Sequence, residues 1–365
     1  MNNIDFLESF DKLIKKNFSV DDLLDSFDHI YIYGTGSSGT HLYTFLKVIY
    51  PDIIIQKFID SDINKHGKEL FNIEISSIDV LTKNDIVLIA SDYAIDIAIQ
   101  LNLRKVKKFF YFGFCDDYYR WNNHFNSSKM VDAYDKILKV SKMLEDDESR
   151  DIFFSILEFR CTMNPLKIRL SSYPEYFHPN VLPVVNDVII DGGAYLGDSA
   201  KLFFNFLQNK ARIYSFDCDL SNFSILELLS CEFRENFIPI NKALWSCNTK
   251  LHFSTNNNHY ESKVSFLDTP DSQLVDAVSI DNYFKVPIMF VKLDVEGSEL
   301  EVLDGAQSTI SNNKTLKLAV SAYHLPDDLW EIPLRLFLYN PHISIYMGHH
   351  SQKFMASVCY SFIKD

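Results

Sequence analysis

Twice along this chain, short runs of β-branched and aromatic residues alternate with segments of helical periodicity, which restricts the fold to an α/β class built on mostly parallel sheets. Between His29 and Phe114 the runs are IYIYG, IIIQKFID, DIVLIAS and KKFFYFG, with SSGTHLYTFLKVI reading as the first intervening helix. A second series begins near Val181 with DVIIDGG, ARIYSFD, FIPINKA and IMFVKLD. Parallel neighbours need a crossover of about a dozen residues or more, and both series leave room for one. The second series closes differently: LKLAVSAYH, a helical DDLWEIPLRLFL, then HISIYM and SVCYSFI separated by a short connection. Strands that close in sequence cannot be joined by a parallel crossover, so a terminal antiparallel hairpin is expected.

The 365 residues allow two domains at roughly 150 residues each. Residues 1–125 read as a smaller N-terminal α/β domain, 126–180 as a helical linker and 181–365 as the second α/β domain. The linker carries apolar positions at Tyr134, Ile137, Leu138 and Met143, a polar break EDDES, and a second stripe at Ile152, Phe153, Ile156 and Leu157. The three prolines between Ser171 and Pro183 suit an ordered boundary segment. With 47% apolar residues, 30 Phe and 19 Tyr, the chain has material for two packed cores.

Lys and Arg number 35 against 49 Asp and Glu, a net charge of −14 with no basic patch, so nucleic acid is not the expected partner. No uncharged apolar run reaches the ~20 residues of a membrane helix, and the charged N-terminus does not read as a signal peptide. Six scattered cysteines without a CxxC pair argue against a disulfide framework or structural zinc and for a reducing, cytoplasmic setting.

The strongest local signal is Val188-Ile189-Ile190-Asp191-Gly192-Gly193-Ala194-Tyr195-Leu196-Gly197-Asp198, a buried strand running through glycines into a helix. Such a turn lets a ligand approach the backbone and meet the positive helix N-terminus. Twenty residues after Gly197 the strand IYSF ends on Asp217, placed to accept from ribose hydroxyls. Together they read as an adenosine site. The third strand runs into Asn241-Lys242-Ala243-Leu244, and the fourth carries Lys292-Leu293-Asp294-Val295-Glu296-Gly297-Ser298-Glu299.

In this order, DGGAYLGD and KLDVEGSE resemble the FkbM-type family of S-adenosylmethionine (SAM)-dependent methyltransferases, over roughly Asp187 to Phe362; AYHLPDDLWEIPL and the HHS segment are similar too. Where that family usually has Phe-Glu-Pro after the second strand, this chain has Phe216-Asp217-Cys218. The resemblance implies a class I methyltransferase sheet, with Asp191, Gly193 and Gly197, flanked by Tyr195 and Asp198, wrapping the methionine end of SAM. It puts the ribose at Asp217 and Asn241 to Leu244, including Ala243, near adenine. Asp294, Glu296 and His324 fall at or just past carboxyl ends of strands and are the candidates for accepting a proton from an acceptor hydroxyl. Asp294, Glu296 and Glu299 are also a donor set for a divalent metal, although acids after a strand equally well cap the next helix.

The N-terminal half holds Gly34-Thr35-Gly36-Ser37-Ser38-Gly39, a complete GxGxxG between strand and helix, with Asp60 ending the next strand. This is a Rossmann-like context. Tyr43 and Lys47 read as ordinary helix residues. IYIYGTGSSG followed by KFIDSDINKHGKELFNIEI resembles the nucleotide-sugar-binding N-terminal domains of bacterial sugar-modifying enzymes, which implies that Gly34, Gly36, Gly39 and Asp60 hold the nucleotide part of an activated sugar. An assembly domain and an NAD site are the alternatives. His66, His178 and His259 lack ligand-like spacing, and of the adjacent His349 and His350 at most one should face the cleft.

The resulting expectation is a cytoplasmic O-methyltransferase acting on a small-molecule hydroxyl, most simply of a carbohydrate or sugar nucleotide in surface-glycan biosynthesis, with a homo-oligomer possible and no membrane insertion. The rivals are an NAD-dependent oxidoreductase using the N-terminal glycine loop and a SAM-binding scaffold without turnover.

Overall fold

A computed structural model describes residues 1–113, 123–255, 262–269 and 272–364. Cys115 and His259 lie outside the described residues. The chain divides into two compact units, the first made of Met1–Ser141, Asp147–Ser171 and His349–Met355, the second of Lys142–Asp146, Ser172–Gly348 and Ala356–Asp365.

Among the described residues the first unit contains six strands: β1 (His29–Tyr33), β2 (Ile54–Ile59), β3 (Glu69–Leu70), β4 (Ile73–Ser76), β5 (Ile86–Ile89) and β6 (Lys108–Tyr111). Their order is β3-β4-β2-β1-β5-β6, parallel except for the short β3 against β4. Connections thus leave β1 towards both sides of the sheet, and a crevice opens at its carboxyl end, where α/β sheets take ligands. The N-terminal helix Asn3–Ile14 is capped by the Asn2 side chain, which accepts from the amides of Ile4 and Asp5. Its Phe6, Phe10 and Leu13, spaced for one helical face, are buried, with Phe6 stacked on Phe153 and Phe10 on Tyr134. Each such aromatic stabilises by about 1.5–3 kcal/mol through burial. Helices Tyr134–Met143 and Asp147–Arg160 are separated by Leu144, Glu145 and Asp146, so Asp147, Glu148 and Ser149 of the polar run EDDES form the first turn of the second helix, and a further short helix, Ser127–Asp132, precedes them.

In the second unit the strands are β7 (Val188–Gly192), β8 (Arg212–Phe216), β9 (Phe237–Ile240), β10 (Ala243–Leu244), β11 (Thr249–Thr255), β12 (Ser262–Ser265), β13 (Gln273–Val278), β14 (Phe290–Leu293), β15 (Lys317–Ser321), β16 (Ile343–His349) and β17 (Ser357–Ile363). Seven of them form one sheet in the order β16-β17-β15-β14-β7-β8-β9. The strands from β9 to β15 run parallel, and β17 runs antiparallel to β15. The two last strands are therefore neighbours at one end of the sheet, as their short connection requires. This is the class I methyltransferase arrangement, with the order reversing between β7 and β14. A second, four-stranded sheet, β10-β13-β11-β12, has no counterpart in the sequence reading. Its signal was present in the alternation of Thr249–Thr255, where Leu251 and Phe253 are buried.

The proline-rich stretch after Ser171 is anchored at alternating positions, although Pro174 and Pro179 are exposed. Tyr176, His178 and Val181 are buried, the Tyr176 amide donates to the Tyr360 hydroxyl at 2.9 Å, and the His178 ring lies against Tyr173, Tyr346 and Tyr360.

Candidate active site

The turn after β7 is shaped by two glycines that no other residue replaces. Gly193 has φ +72°, and a Cβ there would lie 1.8 Å from the carbonyl oxygen of Asp294. Gly197, at φ +79°, is the N-cap of helix Asp198–Phe206, and a Cβ would come within 2.4 Å of Leu229. Between them Tyr195 is exposed and sits at φ +48°. Its amide donates to Asp217 Oδ2 at 2.9 Å, tying the turn after β7 to the end of β8.

Asp217 also accepts from the Asp219 amide at 2.9 Å and Asn222 Nδ2 at 3.3 Å. Burial nevertheless dominates and pushes its carboxyl up to about 6, against the lowering effect of these donors. Asn241 Nδ2 donates to the Asp217 carbonyl at 3.0 Å, fixing the strand end from the other side.

Beneath the turn lies Lys292, the polar member of the otherwise apolar strand Phe-Val-Lys-Leu, all four residues buried. Its ammonium donates to the Gly193 carbonyl at 2.8 Å and pairs with Asp191 at 3.2 Å, 5.6 Å above the Tyr176 ring. Burial alone would lower its pKa, but Asp191 and then Asp294 outweigh it and raise it, so the charge is kept. Asp191 in turn accepts from Ser199 and Ser215. Its carboxylate is occupied within the protein and holds the turn from below.

Where β14 and β15 open, Asp294 is about a quarter exposed and accepts from the Tyr323 hydroxyl at 2.9 Å. Burial would raise its pKa, yet Lys292 and His324 hold the carboxyl below the usual range. Behind it, buried His324 sends Nδ1 to Glu299 at 2.9 Å, while Nε2 lies 3.5 Å from Asp294 and 3.7 Å from Glu296. Glu296 has φ +56° and is about a third exposed; Glu299 is buried and also accepts from the Val295 amide. Burial disfavours a charged imidazole, but Glu299, Glu296 and Asp294 together push His324 up to about 10.

One cavity brings together Gly193, Asp217, Ala243, Leu244, Asp294 and Glu296. The others chosen from the sequence stand around it: Asp191 is buried below the turn, Tyr195 acts through its amide, Asp198 is exposed in the first helical turn, and His324 lies behind the carboxylates. Sequence reasoning missed Lys292 and Glu175. Burial, followed by the charge of Asp294, pushes the Glu175 carboxyl up to about 7. A charged residue in a buried four-residue strand was a readable signal for Lys292; nothing local marks Glu175.

In the first unit, Gly34, Gly36 and Asp60 line an open cavity with Ser37, Ser38 and Ser91. Gly34 and Gly39 are required by packing, since a Cβ would lie 2.3 Å from the Ala90 carbonyl and 2.1 Å from that of Gly34, respectively. A Cβ on Gly36 would meet nothing within 4 Å. Asp60 accepts from Lys65 at 2.8 Å, from the Asp62 amide at 2.9 Å and from Thr35; against the opposing effect of burial, the Lys65 and Thr35 bonds hold it below the usual carboxylate range. Tyr43 stacks on Phe71, Lys47 bonds the Ile53 carbonyl and His66 the Asp60 carbonyl. Buried His349 contacts the Lys353 carbonyl through Nε2 and is pushed down to about 3 by burial; the cavity of the second unit includes neither it nor His350.

Strand order and a strand-end cleft around Gly193 and Asp217 define a class I methyltransferase. Residues 191–344 match the Methyltransferase FkbM domain, and the protein is a SAM-dependent methyltransferase. The whole chain shares its fold with a crystal structure of Methyltransferase FkbM from Methylobacillus flagellatus KT, which is 21% identical, with 99% of this chain and 100% of that one covered and a TM-score of 0.76. A putative rRNA-methylase from Clostridium thermocellum is 10% identical over 50% of this chain and 90% of its own, at a TM-score of 0.33. No curated protein matches the sequence. Among the described residues no helix is long and apolar enough to cross a membrane.

Proposed function

We propose that the second unit transfers a methyl group from SAM to a hydroxyl of a carbohydrate or sugar nucleotide in surface-glycan biosynthesis, in a reducing, cytoplasmic setting. The observation that carries the reading is the convergence of Gly193, Asp217 and Asp294 on one cavity. The residues fit the cofactor: the backbone at Gly193 is bare on the cavity side, Asp217 stands at the strand end for the ribose, and Ala243 and Leu244 offer an apolar wall for adenine. SAM supplies a methyl group already activated on a sulfonium. The protein's task is to align an acceptor oxygen in line with that carbon. As the new C–O bond forms the S–C bond breaks, and the hydroxyl proton passes to a carboxylate. Asp294 is the proposed recipient, being ionised and open to the cavity, with Glu296 beside it.

For the first unit we propose a site of its own along Gly36 for the nucleotide part of an activated sugar. Its missing side chain serves neither backbone nor packing, and the helix Ser37–Ile49 begins there without a side-chain cap. The resemblance of this half to nucleotide-sugar-binding domains supports a sugar nucleotide. Against NAD, a ribose at Asp60 would have to displace Lys65 and Thr35.

Calorimetry with SAM, its demethylated product, NAD and a UDP-sugar tests the reading. Binding of SAM and the demethylated product is expected; NAD binding with neither of them would overturn it.

A further inference from the structure

Behind the proposed acceptor position, Asp294, Glu299 and His324 each offer one ligand atom, and all three atoms lie within 4.8 Å of one another. Atoms bound to one first-row cation at about 2.0–2.2 Å stand roughly 3–4.4 Å apart, so small side-chain adjustments suffice. The 3.5 Å from His324 Nε2 to Asp294 Oδ1 already suits two neighbouring ligands.

One feature separates this cluster from ordinary surface acids. Glu299 is 1% exposed, and its Oε2 has no hydrogen-bond partner. A buried carboxylate oxygen left without a donor loses its hydration with nothing in return, so such an atom needs a partner. The His324 ring spans the cluster, with Nδ1 2.9 Å from Glu299 and Nε2 3.5 Å from Asp294 and 3.7 Å from Glu296.

We propose that Asp294, Glu299 and His324 form a binding site for a divalent first-row cation, with Glu296 within reach as a further oxygen donor. Mixed imidazole and carboxylate donors favour Mn²⁺, Fe²⁺ or Zn²⁺ over Ca²⁺. The cation's role in catalysis rests on the methyl-transfer reading: bound beside the cavity, it polarises the acceptor hydroxyl and eases loss of the proton.

The test uses the full chain stripped with EDTA, with no SAM or acceptor present. Mn²⁺ is followed by the loss of its free-ion electron paramagnetic resonance signal, and Zn²⁺ by calorimetry. One saturable site per chain is expected, weakened at least tenfold in both Asp294→Asn and Glu299→Gln. Asp294→Asn changes a partly exposed group and guards against misfolding of the buried variant. The site is refuted if neither ion binds one-to-one below millimolar concentration, or if folded Asp294→Asn binds as tightly as the wild type. SAM calorimetry on the same stripped sample reports separately on the methyltransferase reading.

Discussion

The backbone of Gly193 runs against the carbonyl of Asp294 so closely that a Cβ would lie 1.8 Å from that oxygen. The cofactor turn and the proposed chemical end of the cleft are thus in backbone contact, with Asp294 N also donating to the Gly192 carbonyl at 3.0 Å. Gly193→Ala must move one segment and adopt positive φ besides. Unfolding in denaturant should show a loss of at least about 2 kcal/mol, and SAM binding should disappear with it. A variant of wild-type stability and affinity would show that the turn is looser than this contact implies.

Asp217 should make cofactor binding pH-dependent. Burial pushes its carboxyl up to about 6, and only the ionised form accepts freely from ribose hydroxyls. Affinity should be constant at high pH and fall through about 6, approaching tenfold per unit below it. Asp217→Ala should remove the dependence and weaken SAM tenfold or more, as loss of a bond to a charged group of about 1.5–3 kcal/mol requires. For stability the sign is opposite: the folded state holds this proton more readily than the unfolded chain, so ionisation of Asp217 works against folding as pH rises from the ordinary carboxylate value towards 6. Calorimetry across pH 5 to about 8 reads the binding term.

Removing the Lys292 ammonium leaves Asp191 buried without its charge partner. Lys292→Met should cost about 3 kcal/mol of stability, and Asp191→Asn added to it should recover part of that loss. Additive losses in the double variant would mean that the two groups are not coupled.

The methyl-transfer reading makes Asp294 the most sensitive of the cavity's carboxylates. On an acceptor shown to be methylated, Asp294→Asn should lower kcat by about 10²–10⁴ while leaving SAM affinity nearly unchanged. Turnover at the wild-type rate would remove Asp294 from the chemical step.

Gly36→Val separates the two proposed binding functions. Its φ of −79° is open to any residue and its Cβ would meet nothing, so the unfolding midpoint should not move. UDP-sugar binding should weaken at least tenfold and SAM binding should stay intact. Loss of SAM affinity in the folded variant would contradict the division of labour.

The α/β class, the strand-to-helix turn after Ile190 and the acid ending β8 were legible in the sequence, because each depends on periodicity or on residues a few positions apart. Likewise Gly193, Asp217, Ala243, Leu244 and Asp294 were legible as strand-end residues, since in a parallel sheet all carboxyl ends open on one edge. Only the tertiary structure decided what surrounds them. Lys292 reaches the Gly193 carbonyl across 99 positions and His324 reaches Glu299 across 25, and Glu175 comes under the influence of Asp294 from a proline-rich segment outside the sheet. The four-stranded sheet pairs Ala243 with Ala277 in the same way. The physical reason is that burial of apolar strands is nearly indifferent to which polar groups it brings together, whereas a buried charge persists only where a partner from elsewhere in the chain meets it.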